Sequence, residues 1–295
     1  MSDIQNSDEF TAKNYCVSFV DVLGHKGCLG RFDIVPTDPA DIPEFKKDAR
    51  NSTNPILWLK ETADKFLIDL KNTEGRFDDV MLPSEKLEIA EALLKENTKR
   101  IHWSDGIMFY SEFEESNTIC PLNSILTILA LSGFLILDGL SRGYPLRGGV
   151  EVGWGVEDRD NLYGKAVCRA YELESGAANY PRIVVGPVLI EYLNGIAGLK
   201  EEDHKTSYYK TMATSCLHML GKDFDGQYTV HFLGEKYRDY IGLKPIYFNE
   251  VYKRALNFVY GEFIKFKEEK NYKLAVRYKI LLDYFTLHPI REVSE

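Results

Sequence analysis

The sequence predicts an α+β fold, and three observations carry that prediction. Short runs rich in Val, Phe and Ile alternate with longer stretches of helical periodicity. Their order along the chain is strand, helices, hairpin, helix, strand, helix, strand, which is a βαββαβ core with helices over one sheet face. Of the 295 residues, 44% are apolar and 27% charged, values that exclude collagen-like, low-complexity and wholly disordered chains.

NYCVSFVDVLG (14–24) reads as a buried strand ending at Gly24. Residues 31–55 carry four prolines and many charges, which predicts an irregular insertion. Helical patterns follow at 56–71 and 83–97; in the second, Pro83 and Ser84 open the helix and Glu85 favours its dipole. In RIHWSDGIMFYSEF (100–113), Asp105-Gly106 lies between two runs of β-formers, a short-range hairpin signal. An apolar helix over 119–142 stops at Gly143, and LRGGVEVGWG (146–155) reads as a strand whose glycines admit close backbone approach. YGKAVCRAYELESGA (163–177) is helical and PRIVVGP (181–187) is a short buried strand. Beyond 190 the pattern changes to a linker at 196–206, a helix near 206–220, a strand at 227–234 and helices at 248–269 and 271–286. The expected division is a core over 14–190 and a mostly helical extension over 191–295 packed on it.

Lys and Arg total 36 against 45 Asp and Glu, a net charge of −9, and no run of Lys/Arg exceeds two. A polyanion-binding protein needs a basic stripe, so no nucleic acid partner is expected. Five scattered cysteines without a CxxC pair argue against a disulfide framework and suit a reducing, cytoplasmic setting. MSDIQNSDEF is polar and acidic, unlike a signal peptide, and the 14-residue apolar run 124–137 is too short to span a bilayer, so no membrane is expected.

Two aspartates stand out by placement: Asp21 at the end of the first strand and Asp105 at the hairpin. Neighbouring antiparallel strands would bring both carboxylates to one sheet edge. Oxygen ligands there suit Mg²⁺ or Mn²⁺, and backbone N–H groups from Val22 to His25 can cradle a phosphate. Two such ions activate an attacking oxygen and stabilise a leaving one. An Asp before Gly is also an ordinary turn residue. A carboxylate inside CVSFVDVLG is harder to explain structurally, because burying it unpaired is costly.

FVDVLGHKG, WSDGIMFY, LRGGVEVGWG and YGKAVCRAYELES, in that order, resemble the class III nucleotidyl cyclases. The last block aligns without gaps to that family's pattern W-G-x-x-V-N-x-A-x-R-x-E-S, with Tyr163, Gly164, Val167, Ala170, Glu174 and Ser175 on family positions. Within the family the chain is most similar to the pyrimidine cyclases of the Pycsar antiphage systems. The resemblance implies a ferredoxin-like cyclase core and two divalent ions held by Asp21, Asp105 and the Val22 backbone. It also implies phosphate contacts at Leu23, Gly24 and His25. The implied reaction is attack of a ribose 3′-OH on the α-phosphate of UTP or CTP, releasing pyrophosphate and a cyclic messenger read by a separate effector. Family members are head-to-tail homodimers whose sites combine metal residues of one chain with helix residues of the other.

The sequence also departs from the family. The helix Asn falls on Cys168 and the transition-state Arg on Glu172, and a carboxylate cannot serve a phosphate as an arginine does. Arg169 lies one turn away and either presents its guanidinium to phosphate or pairs with Glu172 at i,i+3. The Lys/Asp pair that reads adenine is replaced by Ile101 and Asn161, and an Asn can pair with the edge of uracil or cytosine. Trp103 shares a strand face with Ile101 and Asp105 and either narrows the base pocket or packs as a core aromatic. Arg100 needs a bulge to reach the pocket. Arg147 either meets a phosphate or pairs with Glu151. The expectation is a cytoplasmic uridylate cyclase, with cytidylate second, a purine cyclase with unconventional readout next, and a catalytically inactive nucleotide-binding regulator as the rival of another class.

Overall fold

The computed structural model describes residues 11–24, 30, 32–71, 97–113, 121–159, 161–200, 203–241 and 244–290. The predicted helix 83–97 lies almost wholly outside them, as does His25. The architecture is one mixed sheet with helices packed on it.

Strand β1 (Lys13–Val22) alternates strictly. Cys16, Ser18, Val20 and Val22 enter the main core, whereas Tyr15, Val17 and Phe19 enter a smaller cluster on the opposite face. Helix α1 (Ile42–Lys71) begins far earlier than expected, because the proline-rich insertion is irregular only up to residue 41 and Pro55 is accommodated inside the helix. Strands β2 (Lys99–Trp103) and β3 (Gly106–Glu112) form the predicted hairpin, but its loop is Ser104-Asp105. Ser104 takes the left-handed φ of 44°. Gly106 opens β3 because a Cβ there would lie 2.8 Å from the Val20 carbonyl oxygen.

Helix α2 (Pro121–Ser141) runs through the main core. At 21 residues it is longer than its apolar run suggested, so length does not exclude a span. Its burial decides the matter: 83% of its apolar window is inside the protein. Strand β4 (Leu146–Asp158) is followed by β5 (Asn161–Gly164), which pairs back on it where a helix start was expected. Helix α3 (Lys165–Glu172) then continues into a π-helical turn, Leu173–Ala177. Strand β6 (Ile183–Val185) lies parallel to β4, whereas β1 is antiparallel to both β3 and β4.

The sheet order is β2-β3-β1-β4-β6-β8-β7, where β7 is Leu220–Lys222 and β8 is Tyr228–Val230. The C-terminal part thus adds two strands to the core sheet. The expected boundary at 190 falls inside helix α4 (Pro187–Ala197), and α5 (His204–His218) begins where a linker was expected to continue. Helices α6 (Glu235–Ile241), α7 (Pro245–Glu268) and α8 (Tyr272–Leu287) cover the main core. The α6 residue Tyr237 is fully buried over Gly133 of α2 and donates to the Ala130 carbonyl at 2.5 Å. Tyr252 of α7 donates to the Phe285 carbonyl of α8 at 2.7 Å.

Candidate active site

The site forms where β1, the β2–β3 hairpin and β4 end together. Asp21 is paired in register with Gly106 on one side and Arg147 on the other. Asp105 therefore precedes Asp21's own partner residue, and the two aspartates share one edge of the sheet, as the sequence predicted. Opposite Asp21, Arg147 holds Nη2 at 3.6 Å from Asp21 Oδ2 and Nε at 2.5 Å from Glu174 Oε1. The second approach lacks hydrogen-bond alignment, so Arg147 Nε and Glu174 Oε1 are both buried without a hydrogen-bond partner.

Glu174 reaches this point through the glycines of β4. A Cβ on Gly149 would stand 2.4 Å from the Ala170 carbonyl oxygen and 2.8 Å from the Glu174 amide; a Cβ on Gly153 would stand 2.9 Å from the Ala166 amide. Without side chains at these positions, α3 and its π turn settle directly on the sheet backbone. Only 2% of the Glu174 side chain is exposed. Burial raises its pKa to about 7; Arg147 opposes the rise, while the charges of Asp21 and Asp105 and a hydrogen bond with Asp21 reinforce it. Asp21 and Glu174 both face the Arg147 guanidinium.

The remaining expectations divide. The Val22 side chain is buried beside the site. The Leu23 amide donates to the Pro145 carbonyl at 2.8 Å, so it is committed within the fold, a correction to its expected phosphate role. Gly24 takes a left-handed φ of 78° in the turn after β1. Ile101 packs against the smaller cluster, and Trp103, 55% exposed, meets the edge of Phe19 with centroids 6.4 Å apart. Tyr171, 54% exposed, meets Phe19 from the other side at 5.7 Å. Arg100 does not join them. The β2–β3 register runs unbroken from Lys99 to Trp103, so the required bulge is missing, and Arg100 Nε pairs with Asp64 of α1 at 2.5 Å.

Arg169 and Asn161 also stand apart from Asp21 within the chain. Arg169 Nη1 donates to the Val152 carbonyl at 2.9 Å rather than to Glu172. Val152 is five residues along β4 from Arg147, about 17 Å at ~3.3 Å per residue. Asn161 is exposed at the β4–β5 hairpin opposite Asp158, at the other end of β4. Of the two alternatives for Arg147, the pair with Glu151 does not form. Glu151, 2% exposed, instead accepts from the amides of Val188 at 3.1 Å and Leu189 at 2.7 Å, capping the start of α4.

Compared with family models, curated proteins and solved structures, the chain matches none at a significant level. Among the described residues no group of three or more His, Cys, Asp or Glu side chains converges in metal-binding geometry. The donors at the β1–β3 edge nevertheless fit a hard divalent cation in type and charge. Asp21 and Asp105 offer carboxylate oxygens, and the surplus of negative charge helps to hold Glu174's pKa near 7. A cation bound there would relieve that surplus. Arg147 and Glu174 were not singled out as a pair in the sequence. Register between β1 and β4 and the seating of the π turn bring them together, and neither has a local signal in the sequence.

Proposed function

We propose that the protein is a metal-dependent pyrimidine nucleotide cyclase that converts UTP to cyclic UMP and pyrophosphate, with CTP as the second substrate. The observation that carries this reading is the meeting of Asp21 and Asp105 at one sheet edge, from segments more than eighty residues apart in sequence, with Glu174 and Arg147 beside them. The order β2-β3-β1-β4 with antiparallel pairing throughout supports reading the core as a split β-α-β, ferredoxin-like one.

Asp21 and Asp105 would hold two Mg²⁺ or Mn²⁺ ions. When bound, such ions lower the pKa of a ribose 3′-hydroxyl and neutralise a triphosphate. Arg147 orients Asp21 and holds positive charge at the place where phosphate oxygens would arrive. Glu174 supports Arg147 from behind. Trp103 and Tyr171 give an exposed aromatic face beside the carboxylates on which a base can stack. Arg169 and Asn161 lie away from Asp21 in their own chain, which fits a site completed head-to-tail by a second copy. The proposed setting is the cytoplasm, where a separate effector reads the product in antiphage defence.

The exposed Glu172 on α3 favours a second reading, an inactive nucleotide-binding regulator. One assay separates them. Purified protein is incubated with each of the four ribonucleoside triphosphates and Mn²⁺, and products are identified by mass. Cyclic UMP or cyclic CMP that disappears in Asp105→Ala supports the proposal. Cyclic AMP or cyclic GMP alone would overturn the pyrimidine assignment, and nucleotide binding with no product would establish the regulator. The same preparation should sediment as a dimer with substrate present; a monomer that turns over would remove the composite site.

A further inference from the structure

A cavity of about 480 Å³ opens where the core meets the C-terminal part. Its walls come from Tyr180–Arg182 before β6, from β7 and β8, and from the last turns of α8. That volume lies within the range of small-molecule sites. Two apolar side chains at the cavity are strongly exposed, Phe224 at 68% and Leu287 at 75%. Phe224 stacks on Tyr180 with centroids 6.1 Å apart. His231 and His288 meet edge to face at 4.4 Å.

Arg182 and Asp283 at this cavity are already paired, and the Lys222 amine lies 5.7 Å from the ring centroid of Tyr228, which is not part of the lining. Arg182 is 4% exposed and donates to Asp223 at 2.7 Å, to Asp225 at 2.6 Å and to the Ala177 carbonyl at 2.7 Å. Both Nη atoms are therefore committed, and Nε is buried without a partner. Lys279 pairs with Asp283. The imidazole of His231 is also neutral: burial, His288 and Arg238 hold its pKa down to about 4.

A neutral donor remains. The Leu233 amide donates to Tyr284 Oη at 3.0 Å, and the same oxygen lies 2.9 Å from His231 Nδ1. Because Oη already accepts from the amide, we assign its proton to Nδ1, which leaves the neutral ring's own proton on Nε2. Nε2 makes no hydrogen bond within the described chain.

We propose that this cavity binds an uncharged, planar aromatic heterocycle with a hydrogen-bond acceptor, through ring contacts with Phe224 and His288 and donation from His231 Nε2. The cavity does not contain Asp21 or Asp105, so the proposal stands independently of the cyclase reading.

The test uses the full chain and saturation-transfer NMR with three probes at millimolar concentration. Caffeine is neutral, bicyclic and carries acceptors; 1-methylindole is of similar shape without an acceptor; naphthalene-1-sulfonate is anionic. Caffeine should bind at least tenfold more tightly than either of the others. Leu287→Trp, at a position exposed enough to leave the core intact, should fill the cavity and weaken caffeine at least tenfold, and Phe224→Ala should weaken it severalfold. Absence of caffeine binding, a preference for the sulfonate, or caffeine affinity unchanged in both variants would each overturn the proposal.

Discussion

Gly149 holds the candidate site together by lacking a side chain, and Gly149→Ala measures that directly. The added Cβ would lie 2.4 Å from the Ala170 carbonyl oxygen, 2.6 Å from Leu173 Cβ and 2.8 Å from the Glu174 amide. Two of those three atoms are backbone of α3 and its π turn, so no flexible side chain can yield. Relief to ordinary contact near 3.4 Å requires the turn to lift by about 1 Å. Overpacking of this kind costs roughly 1–3 kcal/mol, and the upper half applies because the obstruction is main chain. For a chain of this size that corresponds to a melting temperature lower by about 3–5 °C. Gly176→Ala is the control, since a Cβ there meets nothing within 4 Å. Both variants are compared by scanning fluorimetry and urea unfolding, and their stabilisation by Mn²⁺ is measured in parallel. Lifting the turn withdraws Glu174 from Arg147, so the Gly149 variant should also lose response to the metal. Equal melting temperatures for the two variants would refute the account of how Glu174 is seated.

Two further predictions concern the region around Arg182 and His231. Arg182→Met leaves Asp223 and Asp225 without their cation and the Ala177 carbonyl without its donor, and should lower unfolding free energy by about 3 kcal/mol, read from the urea midpoint; Asp225→Asn should cost less, because Asp223 still pairs. His231 has a folded pKa near 4 against 6.5 ordinarily, so between those values the unfolded chain takes up a proton that the folded one refuses. Its contribution to stability is complete above about pH 6.5 and declines as pH falls toward 4, by about 3 kcal/mol in all. Urea unfolding of the parent and His231→Gln at pH 4.5 and 7.5 should show that decline mainly in the parent; identical pH slopes would contradict it.

Much of the site was legible because it depends on short-range patterns. Alternation in CVSFVDVLG places Asp21 on a definite face of β1, and a turn signal between two β-rich runs puts Asp105 at a hairpin. The sequence also announced that 146–155 needed close backbone approach, and Gly149 and Gly153 are where α3 meets the sheet. Arg100 was misjudged because its partner, Asp64, belongs to a helix whose position over β2 is a long-range fact. The alternative that pairs Glu151 with Arg147 failed for the same reason: Glu151 caps α4, some forty residues later.

The sequence alone determined which residues lie on which face of each strand, where the core hairpin forms, and that two acidic groups stand at strand ends. These follow from the two-residue period of a strand and the dihedral needs of a turn, both local. Only the tertiary structure decided that Asp21 and Arg147 are register partners, that Glu174 is driven under them by a π turn, and that the C-terminal strands join the same sheet and open a second cavity beside it. Register between strands and the seating of a helix are set by packing across the whole molecule, and no window of sequence contains that information.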